Sequence, residues 1–269
     1  MKIPSKFQKQ SNLRLHIFGL SFATAILFLS QFAYGEKNGS LVDVAWQSIN
    51  PCDHDNLSPC LLFDSTGEKK LLLVGDSHAM HFFKEMQVVS NALSIDIYWL
   101  PYVLRSDLSR NSFTRMIQNF SPQVLVISQF NNNNNLDYFH MFENQLDDLL
   151  LNGVHMLYLS DNPVFTDYLY YLHGVNPGFL SSKLQNPPIF DVKINDLDQE
   201  AIKISTMYLN AIKDRDISYI DLYKIFCDEI FCSRFKNGNF VFFDDHHLTL
   251  YGASLVRNDL LQLIESVLD

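Results

Sequence analysis

One serine in the first third of the chain, with an aspartate and a histidine near its end, has the residue types needed for covalent catalysis. Ser77 lies within the stretch from Gly75 to His78, and Asp244 precedes His247 by three residues. A serine hydroxyl becomes a strong nucleophile when a base removes its proton, and the base needs a third group to orient it. We therefore expect Ser77 to be the nucleophile, His247 the base and Asp244 the orienting carboxylate.

The position of Ser77 follows from the elements predicted on either side of it. Leu71 to Val74 is an apolar run typical of a buried strand, and apolar residues recur at helical spacing from Ala79 to Leu93. A strand that leads directly into a helix places Ser77 at the carboxyl edge of a sheet, where open α/β folds keep their active sites. Because Ser77 begins the helix, its backbone amide and the helix dipole are expected to stabilise an oxyanion.

Two neighbouring residues compete with the aspartate and histidine chosen above. Asp245 and His246 are adjacent to Asp244 and His247, and spacing alone does not separate the two pairs. The same four residues also suggest a metal site, but consecutive side chains point in different directions and no further ligand pair is evident in the sequence. We therefore favour the triad and expect neither a metal nor another cofactor.

The residues around Ser77 also have structural explanations. A serine at a helix start is most often an N-cap, and it is the distant Asp-x-x-His sequence that favours a nucleophile. Asp76 is expected to brace the turn through backbone amides. His78 and His81 fall at helical spacing and are typical of surface or groove residues, with His78 the candidate for substrate binding.

Strands and helices alternate along the chain. The predicted strands are Leu71–Val74, Ile95–Leu100, Val124–Ser128, Val154–Leu159 and Ile217–Leu222. The predicted helices are Ala79–Leu93, Ser109–Phe120, a helix that ends at Leu150, and Tyr251–Leu268 with Leu255, Leu260, Leu263 and Val267 on its inner face. This alternation predicts the α/β class, as a three-layer αβα sandwich around a parallel sheet of about five strands.

The 269 residues are enough for one domain with a sizeable core, preceded by segments of different composition. Residues 1–35 carry four basic and no acidic residues, contain an apolar stretch and end at small residues, which predicts a signal peptide or an N-terminal membrane anchor. Residues 36–67 are polar and predict an irregular segment. Residues 68–269 are the predicted catalytic domain, with an insertion at 161–196 that is either a substrate lid or a surface insertion.

The net charge of the chain argues against a nucleic-acid-binding protein, and its cysteine content favours an exported one. The formal charge is −10, and no Lys/Arg cluster appears outside the N-terminus, so nucleic acid is not expected as a partner. Four cysteines fit an exported protein, periplasmic or extracellular, with two disulfides. Three pairings are open, and the short loops favour Cys52 with Cys60 and Cys227 with Cys232.

Both ends of the predicted domain resemble one enzyme family. The block from Gly75 to His78 and the block from Asp244 to Thr249 resemble the terminal motifs of the SGNH hydrolase superfamily. They are most similar to the SGNH domains fused to membrane acyltransferases that O-acetylate bacterial surface polysaccharides. The resemblance runs from about Cys60 to the C-terminus and implies a flavodoxin-like αβα fold.

The resemblance also implies a reaction, namely acyl transfer to a carbohydrate or ester hydrolysis from it, through an acyl-Ser77 intermediate. It assigns His247 as the base and Asp244 as its partner. The family's middle oxyanion motifs are not cleanly recoverable here, and Asn131 is the candidate amide donor beside the Ser77 backbone. The implied partners are an O-acylated glycan or glycan acceptor and a membrane protein that donates the acyl group, because the sequence holds only one apolar stretch.

A function of a different class is a non-catalytic glycan-binding or assembly partner that retains the fold. The unclear oxyanion motifs favour this alternative, whereas the presence of Ser77, Asp244 and His247 opposes it. A general or lipase-like esterase is a third hypothesis, which chain-length preference on simple esters would distinguish from a glycan enzyme.

Overall fold

A computed structural model describes residues 58–101, 110–130, 136–166 and 191–268, all within one compact unit. The predicted segment 1–35, most of segment 36–67, Asn131 and the centre of the insertion lie outside the described residues. The described strands are β1 (Cys60–Phe63), β2 (Lys69–Val74), β3 (Ile95–Leu100), β4 (Val124–Ser128), β5 (His155–Leu159), β6 (Asp191–Lys193), β7 (Ser218–Ile220), β8 (Phe231–Ser233), β9 (Phe235–Lys236) and β10 (Asn239–Phe240). The described α-helices are α1 (Ser77–Met80), α2 (Phe83–Leu93), α3 (Arg110–Phe120), α4 (Leu136–Leu151), α5 (Gln199–Lys213), α6 (Leu222–Phe226), α7 (Leu250–Ser254) and α8 (Arg257–Leu268).

The central sheet has the strand order β1-β3-β2-β4-β5-β7. Strands β2, β3, β4, β5 and β7 run parallel, and β1 pairs antiparallel with β3 at the edge. Numbered among themselves, the five parallel strands follow the order 2-1-3-4-5, which is the flavodoxin-like arrangement. The five predicted strands and the predicted αβα class are therefore confirmed.

Apolar side chains of the buried strands alternate between two helical layers. Leu71 and Leu73 of β2 join a core cluster with α2 and α8, whereas Leu72 and Val74 join a second cluster with α3, α4 and α5. All four of these side chains are fully buried. A sheet covered on both faces explains why β2 is a continuous apolar run rather than an alternating pattern.

The prediction that residues 36–67 are irregular is wrong near the end of this segment, where β1 adds an antiparallel strand to the edge of the sheet. The side chain of Asp96 on β3 accepts hydrogen bonds from the backbone and hydroxyl of Ser65. These contacts fix the connection between β1 and β2. A four-residue edge strand is stabilised by its pairing with the neighbouring strand, and local sequence patterns do not predict this pairing.

Two predicted helices are each divided into a short and a long helix. The helix predicted from Ala79 breaks between α1 and α2, where consecutive residues His81 and Phe82 are both fully buried. Consecutive side chains of a continuous helix point about 100° apart, so they do not both lie at the centre of its buried face. The break between α1 and α2 allows both residues to be buried. His81 lies against the histidines described below, whereas Phe82 lies in the core.

The helix predicted from Tyr251 breaks in the same way between α7 and α8. Of its predicted inner residues, Leu260 is fully buried, whereas Leu255, Leu263 and Val267 are partly buried against the core. Val256 lies at the break and is also fully buried.

A disulfide joins Cys227 to Cys232, with an S–S distance of 1.93 Å, and confirms one of the two predicted pairs. It links the end of α6 to β8 just before the histidine-containing loop. Cys60 is also disulfide-bonded. The other predicted pair includes Cys52, which lies outside the described residues, so that pair stays a prediction. None of the helices in the described ranges combines the length and the hydropathy that a membrane crossing needs.

Candidate active site

Ser77 lies at the carboxyl end of β2, between neighbours β3 and β4, at the point where the strand order changes direction. Gly75 makes the turn possible: its φ is +151°, and a Cβ atom there would lie 1.6 Å from the carbonyl oxygen of Ser128 on β4. The indole N–H of Trp99 donates to the Gly75 carbonyl at 3.3 Å. The end of β2 is thus packed directly against β4, which places Ser77 at the crevice predicted for this fold.

Asp76 braces this turn, as the sequence predicts. Its carboxylate accepts a hydrogen bond from the backbone N–H of His78 at 2.9 Å. It also accepts from the backbone N–H of Phe130, the second residue after β4, at 3.0 Å. The side chain of Asp76 therefore ties the turn that carries Ser77 to the end of β4.

The helix that begins at Ser77 is a single turn of four residues. The dipole expected from a long helix is therefore small here, because the macrodipole is the sum over aligned peptide units. The backbone N–H of Ser77 meets no hydrogen-bond acceptor within the described part of the chain. That N–H can still donate to an oxyanion, so the local group, rather than the dipole, supports this predicted role.

The structure brings Ser77, His247 and Asp244 together from opposite ends of the chain. The Nε2 atom of His247 is 3.1 Å from the Ser77 hydroxyl oxygen. The Nδ1 atom of His247 is 2.7 Å from Oδ2 of Asp244. These two contacts form the hydrogen-bonded chain in which an imidazole can take a proton from a serine hydroxyl while a carboxylate orients it.

Asp244 is held as an anion by its own loop. Burial favours the neutral carboxyl, but hydrogen bonds from the His247 ring and from the backbone N–H groups of His246 and His247 outweigh it, and the pKa of Asp244 falls well below its ordinary value. A charged carboxylate in this position can orient an imidazole and stabilise positive charge on it, which is the role predicted for Asp244.

The second aspartate–histidine pair in this loop has a different position. The Nδ1 atom of His246 is 2.7 Å from Oδ1 of Asp245. The imidazole in contact with the Ser77 hydroxyl is that of His247. The geometry therefore separates the two pairs that spacing alone could not.

His78 and His81 are buried beneath this site, and their interpretation as surface residues is wrong. The side chain of His78 is 2% exposed and that of His81 is fully buried. His78 packs against Phe130 and His246, with ring centroids 4.8 and 5.5 Å apart. The substrate-binding role of His78 stays a prediction, and a substrate would reach very little of its ring.

Burial also changes the protonation of these two histidines. It lowers the pKa of His78 well below the ordinary value of 6.5, and the nearby His246 and His247 rings lower it further. The pKa of His81 is lowered in the same direction by burial, and then by His78 and His247. Both imidazoles are therefore neutral near pH 7.

Asp161 and Asn162, which no sequence motif marks, complete the site from the segment after β5. Asp161 lies 3.9 Å from Nδ1 of His78. The Asn162 amide donates to the His246 carbonyl at 2.9 Å and lies 3.4 Å from Nδ1 of His81. Their signal in the sequence is their position directly after a buried parallel strand, at the same sheet edge as Ser77.

The ends of the predicted insertion are built into the domain. The backbone N–H of Phe165 donates to the carbonyl of Asp245 at 2.9 Å. At the other end, β6 pairs with β8. Residues 167–190 lie outside the described residues, so the choice between lid and surface insertion stays open, as does the predicted role of Asn131.

Three histidines of the site also meet one geometric requirement of a metal site. His78, His246 and His247 each offer one possible ligand atom, and these atoms lie within 4.8 Å of one another. Asp244, Asp245 and His246 form a second such group. The sequence shows no further ligand pair, but folding brings one additional histidine, His78, to the histidine-containing loop.

Comparisons with known proteins agree with this architecture. The periplasmic domain of a lipopolysaccharide acetyltransferase from Salmonella ser. Paratyphi A is similar at a TM-score of 0.54 and 20% identity, over 74% of this chain and 84% of that one. A GDSL-like lipase from Bacteroides thetaiotaomicron is similar at a TM-score of 0.46 and 14% identity, over 74% of this chain and 89% of that one. No curated protein matches the sequence.

The family described as the SGNH domain fused to AT3 domains matches residues 50–262, which is most of the chain. The match includes Ser77 and the loop that carries Asp244 and His247, and the flavodoxin-like sheet is the fold that the sequence resemblance implies. The chain therefore belongs to the family of SGNH domains that are fused to AT3 domains.

Proposed function

We propose that this SGNH-type enzyme is an O-acyltransferase or O-acyl esterase that acts on a cell-envelope or extracellular glycan through an acyl-Ser77 intermediate. The observation that carries the proposal is the hydrogen-bonded chain from the Ser77 hydroxyl through His247 to Asp244, with contacts of 3.1 and 2.7 Å. The family membership supports ester chemistry, and the geometry supports these three residues as its machinery.

The first half-reaction begins with proton transfer from the Ser77 hydroxyl to Nε2 of His247. The serine oxygen attacks the ester carbonyl carbon, and the resulting oxyanion accepts a hydrogen bond from the Ser77 backbone N–H. When the tetrahedral intermediate collapses, the bond to the alcohol breaks and the His247 imidazolium protonates the departing oxygen. Asp244 stabilises the imidazolium while it carries the proton.

The second half-reaction returns the enzyme to its starting state. His247, neutral again, removes a proton from water or from a sugar hydroxyl, whose oxygen attacks the acyl-Ser77 carbonyl. Collapse breaks the acyl–oxygen bond to Ser77, and the proton returns to the serine oxygen. Water as acceptor gives hydrolysis, whereas a sugar hydroxyl gives acyl transfer, and exclusion of water from the site decides between them.

The glycan substrate, the location and the partner are parts of the same proposal. An exported enzyme is supported by the predicted leader at 1–35 and by the Cys227–Cys232 disulfide, because disulfides persist in oxidising compartments. The similar Salmonella structure is a periplasmic domain of an acetyltransferase. Fusion of the family's domains to AT3 domains supports a membrane protein as acyl donor and acetyl as the acyl group.

The test is hydrolysis of an aryl acetate by the purified full chain, compared with Ser77→Ala and His247→Ala. We expect turnover by the wild type and background rates for both variants, since each removes one reacting group. Ser266→Ala and His140→Ala are matched controls on the exposed surface of α8 and α4 and should keep wild-type rates. If the wild type and both site variants behave alike, Ser77 is not a nucleophile on simple esters, and a glycan-binding role replaces the proposal.

A further inference from the structure

The histidine cluster at the site contains more imidazoles than the proposed reaction uses. His246 and His247 have ring centroids 4.0 Å apart, and His78 lies 5.5 and 5.7 Å from them. One possible ligand atom from each of the three lies within 4.8 Å of the others. Imidazole is a ligand that Zn²⁺ prefers, and three protein ligands with one open position is a common zinc arrangement.

His78 has an unused nitrogen in this cluster. Its side chain is 2% exposed, and its Nε2 atom has no hydrogen-bond partner within the described ranges. A buried polar atom without a partner costs about 1–3 kcal/mol, and a ligand that contacts it removes that cost.

The other two histidines are oriented in the way that metal-binding histidines usually are. In each, Nδ1 contacts a carboxylate at 2.7 Å, Asp245 for His246 and Asp244 for His247. A carboxylate on Nδ1 fixes the tautomer and makes Nε2 the acceptor nitrogen. In His247 this atom faces the Ser77 hydroxyl at 3.1 Å, so a metal ion there takes the place of that contact. The two carboxylates also supply negative charge next to the cluster, which favours a cation.

From these observations we propose that His78, His246 and His247 form a binding site for a zinc ion, and that zinc at this site reversibly inhibits the enzyme. Binding uses the Nε2 lone pair of His247, which therefore cannot accept the Ser77 proton while the ion is bound. No bond is made or broken beyond coordination, so removal of the ion restores His247. The inhibition rests on the proposed function, whereas zinc binding does not.

Binding is tested directly by isothermal titration calorimetry of the untagged full chain with ZnCl₂. We expect one zinc ion per chain, with the same affinity in Ser77→Ala, because Ser77 is not a ligand. His246→Gln and His78→Gln should each weaken binding by about tenfold or more, as loss of a ligand costs at least as much as loss of a supporting residue. His140→Gln is the matched control, since His140 is an exposed histidine on α4. No binding, or binding unchanged in both ligand variants, overturns the proposal.

Inhibition is tested on aryl acetate hydrolysis with and without zinc. We expect zinc to inhibit the wild type and EDTA to restore the rate. His246→Gln should lose the inhibition, measured as the ratio of its own rates with and without zinc. Zinc-insensitive hydrolysis overturns the proposed inhibition. Zinc binding by a protein that never hydrolyses esters supports the metal site and overturns the proposed function instead.

Discussion

Gly75 is the residue at which a single added methyl group should abolish activity. A Cβ atom at this position would lie 1.6 Å from the carbonyl oxygen of Ser128 and 2.9 Å from the Cβ atom of Ala79. Because Cβ atoms essentially never approach another atom closer than 3.0 Å, the turn or the end of β4 must move by about 1.4 Å or more. Ser77 is two residues from Gly75 and moves with the turn.

A displacement of this size is large compared with the tolerance of catalysis. A misplacement of about 1 Å can cost about 100-fold in rate, so we expect Gly75→Ala to lower kcat/KM on an aryl acetate by at least about 100-fold. The positive φ of Gly75 adds backbone strain to the clash. Together they should also lower the free energy of unfolding by about 3 kcal/mol or more.

Gly153→Ala is the matched control for this experiment. Gly153 also has a positive φ, +72°, but nothing lies within 4 Å of an added Cβ atom. We expect Gly153→Ala to cost about 1 kcal/mol in urea denaturation and to leave kcat/KM unchanged. If Gly75→Ala keeps kcat/KM within about threefold of the wild type, the close packing of the turn against β4 does not position Ser77 and the reasoning is refuted.

Three further predictions concern the turn that carries Ser77, a buried ion pair and a buried histidine. Asp76→Ala removes the acceptor for two backbone N–H groups. It should lower the free energy of unfolding, measured by urea denaturation, by about 2–3 kcal/mol and should lower kcat at least about tenfold. Asp76→Asn keeps one acceptor oxygen and should lose much less of both. Equal losses in both variants would contradict the bracing role. Arg257→Ala leaves the carboxylate of Glu85, which is 1% exposed, without its guanidinium partner. We expect Arg257→Ala to lower the free energy of unfolding by about 3 kcal/mol, which is the lower end for a buried ion pair because Arg257 is 41% exposed. Adding Glu85→Gln should recover most of this loss. A double variant that is no more stable than Arg257→Ala would contradict the prediction. Burial lowers the pKa of His81, so the unfolded chain binds more protons below pH 6.5 and stability falls as the pH falls through that value. Between pH 7.5 and 5.5, in the presence of EDTA, the wild type should lose about 1 kcal/mol more of its free energy of unfolding than His81→Phe, and equal losses would show that His81 charges freely in the folded state.

Much of the fold could be predicted from local patterns, because its strands are buried on both faces. Strands of this kind are continuous apolar runs, so β2, β3, β4, β5 and β7 were all placed to within two residues. The strand β1 was missed because four residues at an edge are stabilised by pairing with β3 rather than by their own pattern. The breaks in the helices after Met80 and Ser254 were missed because periodicity does not show which buried surroundings each side chain enters.

In the candidate site, too, contacts between residues close in sequence could be predicted, and some contacts between distant residues could not. The pairing of Asp244 with His247 is local: the carboxylate accepts from the backbone N–H groups of His246 and His247 and from the His247 ring. The three-residue spacing makes this contact possible, although spacing alone does not select it over the contact between Asp245 and His246. The burial of His78 depends instead on Phe130 and Asp161, which are distant in sequence, and no spacing in the chain indicates it.

Distant contacts also decide which of the two aspartate–histidine pairs lies next to the Ser77 hydroxyl. The Asn162 amide holds the carbonyl of His246, and the Phe165 N–H holds the carbonyl of Asp245. The segment after β5 thus holds the loop through the carbonyl groups of Asp245 and His246, and the ring of His247 lies next to Ser77. Both pairs have the same internal distance of 2.7 Å, so this distance does not distinguish them, and the contacts from the segment after β5 account for the position of His247.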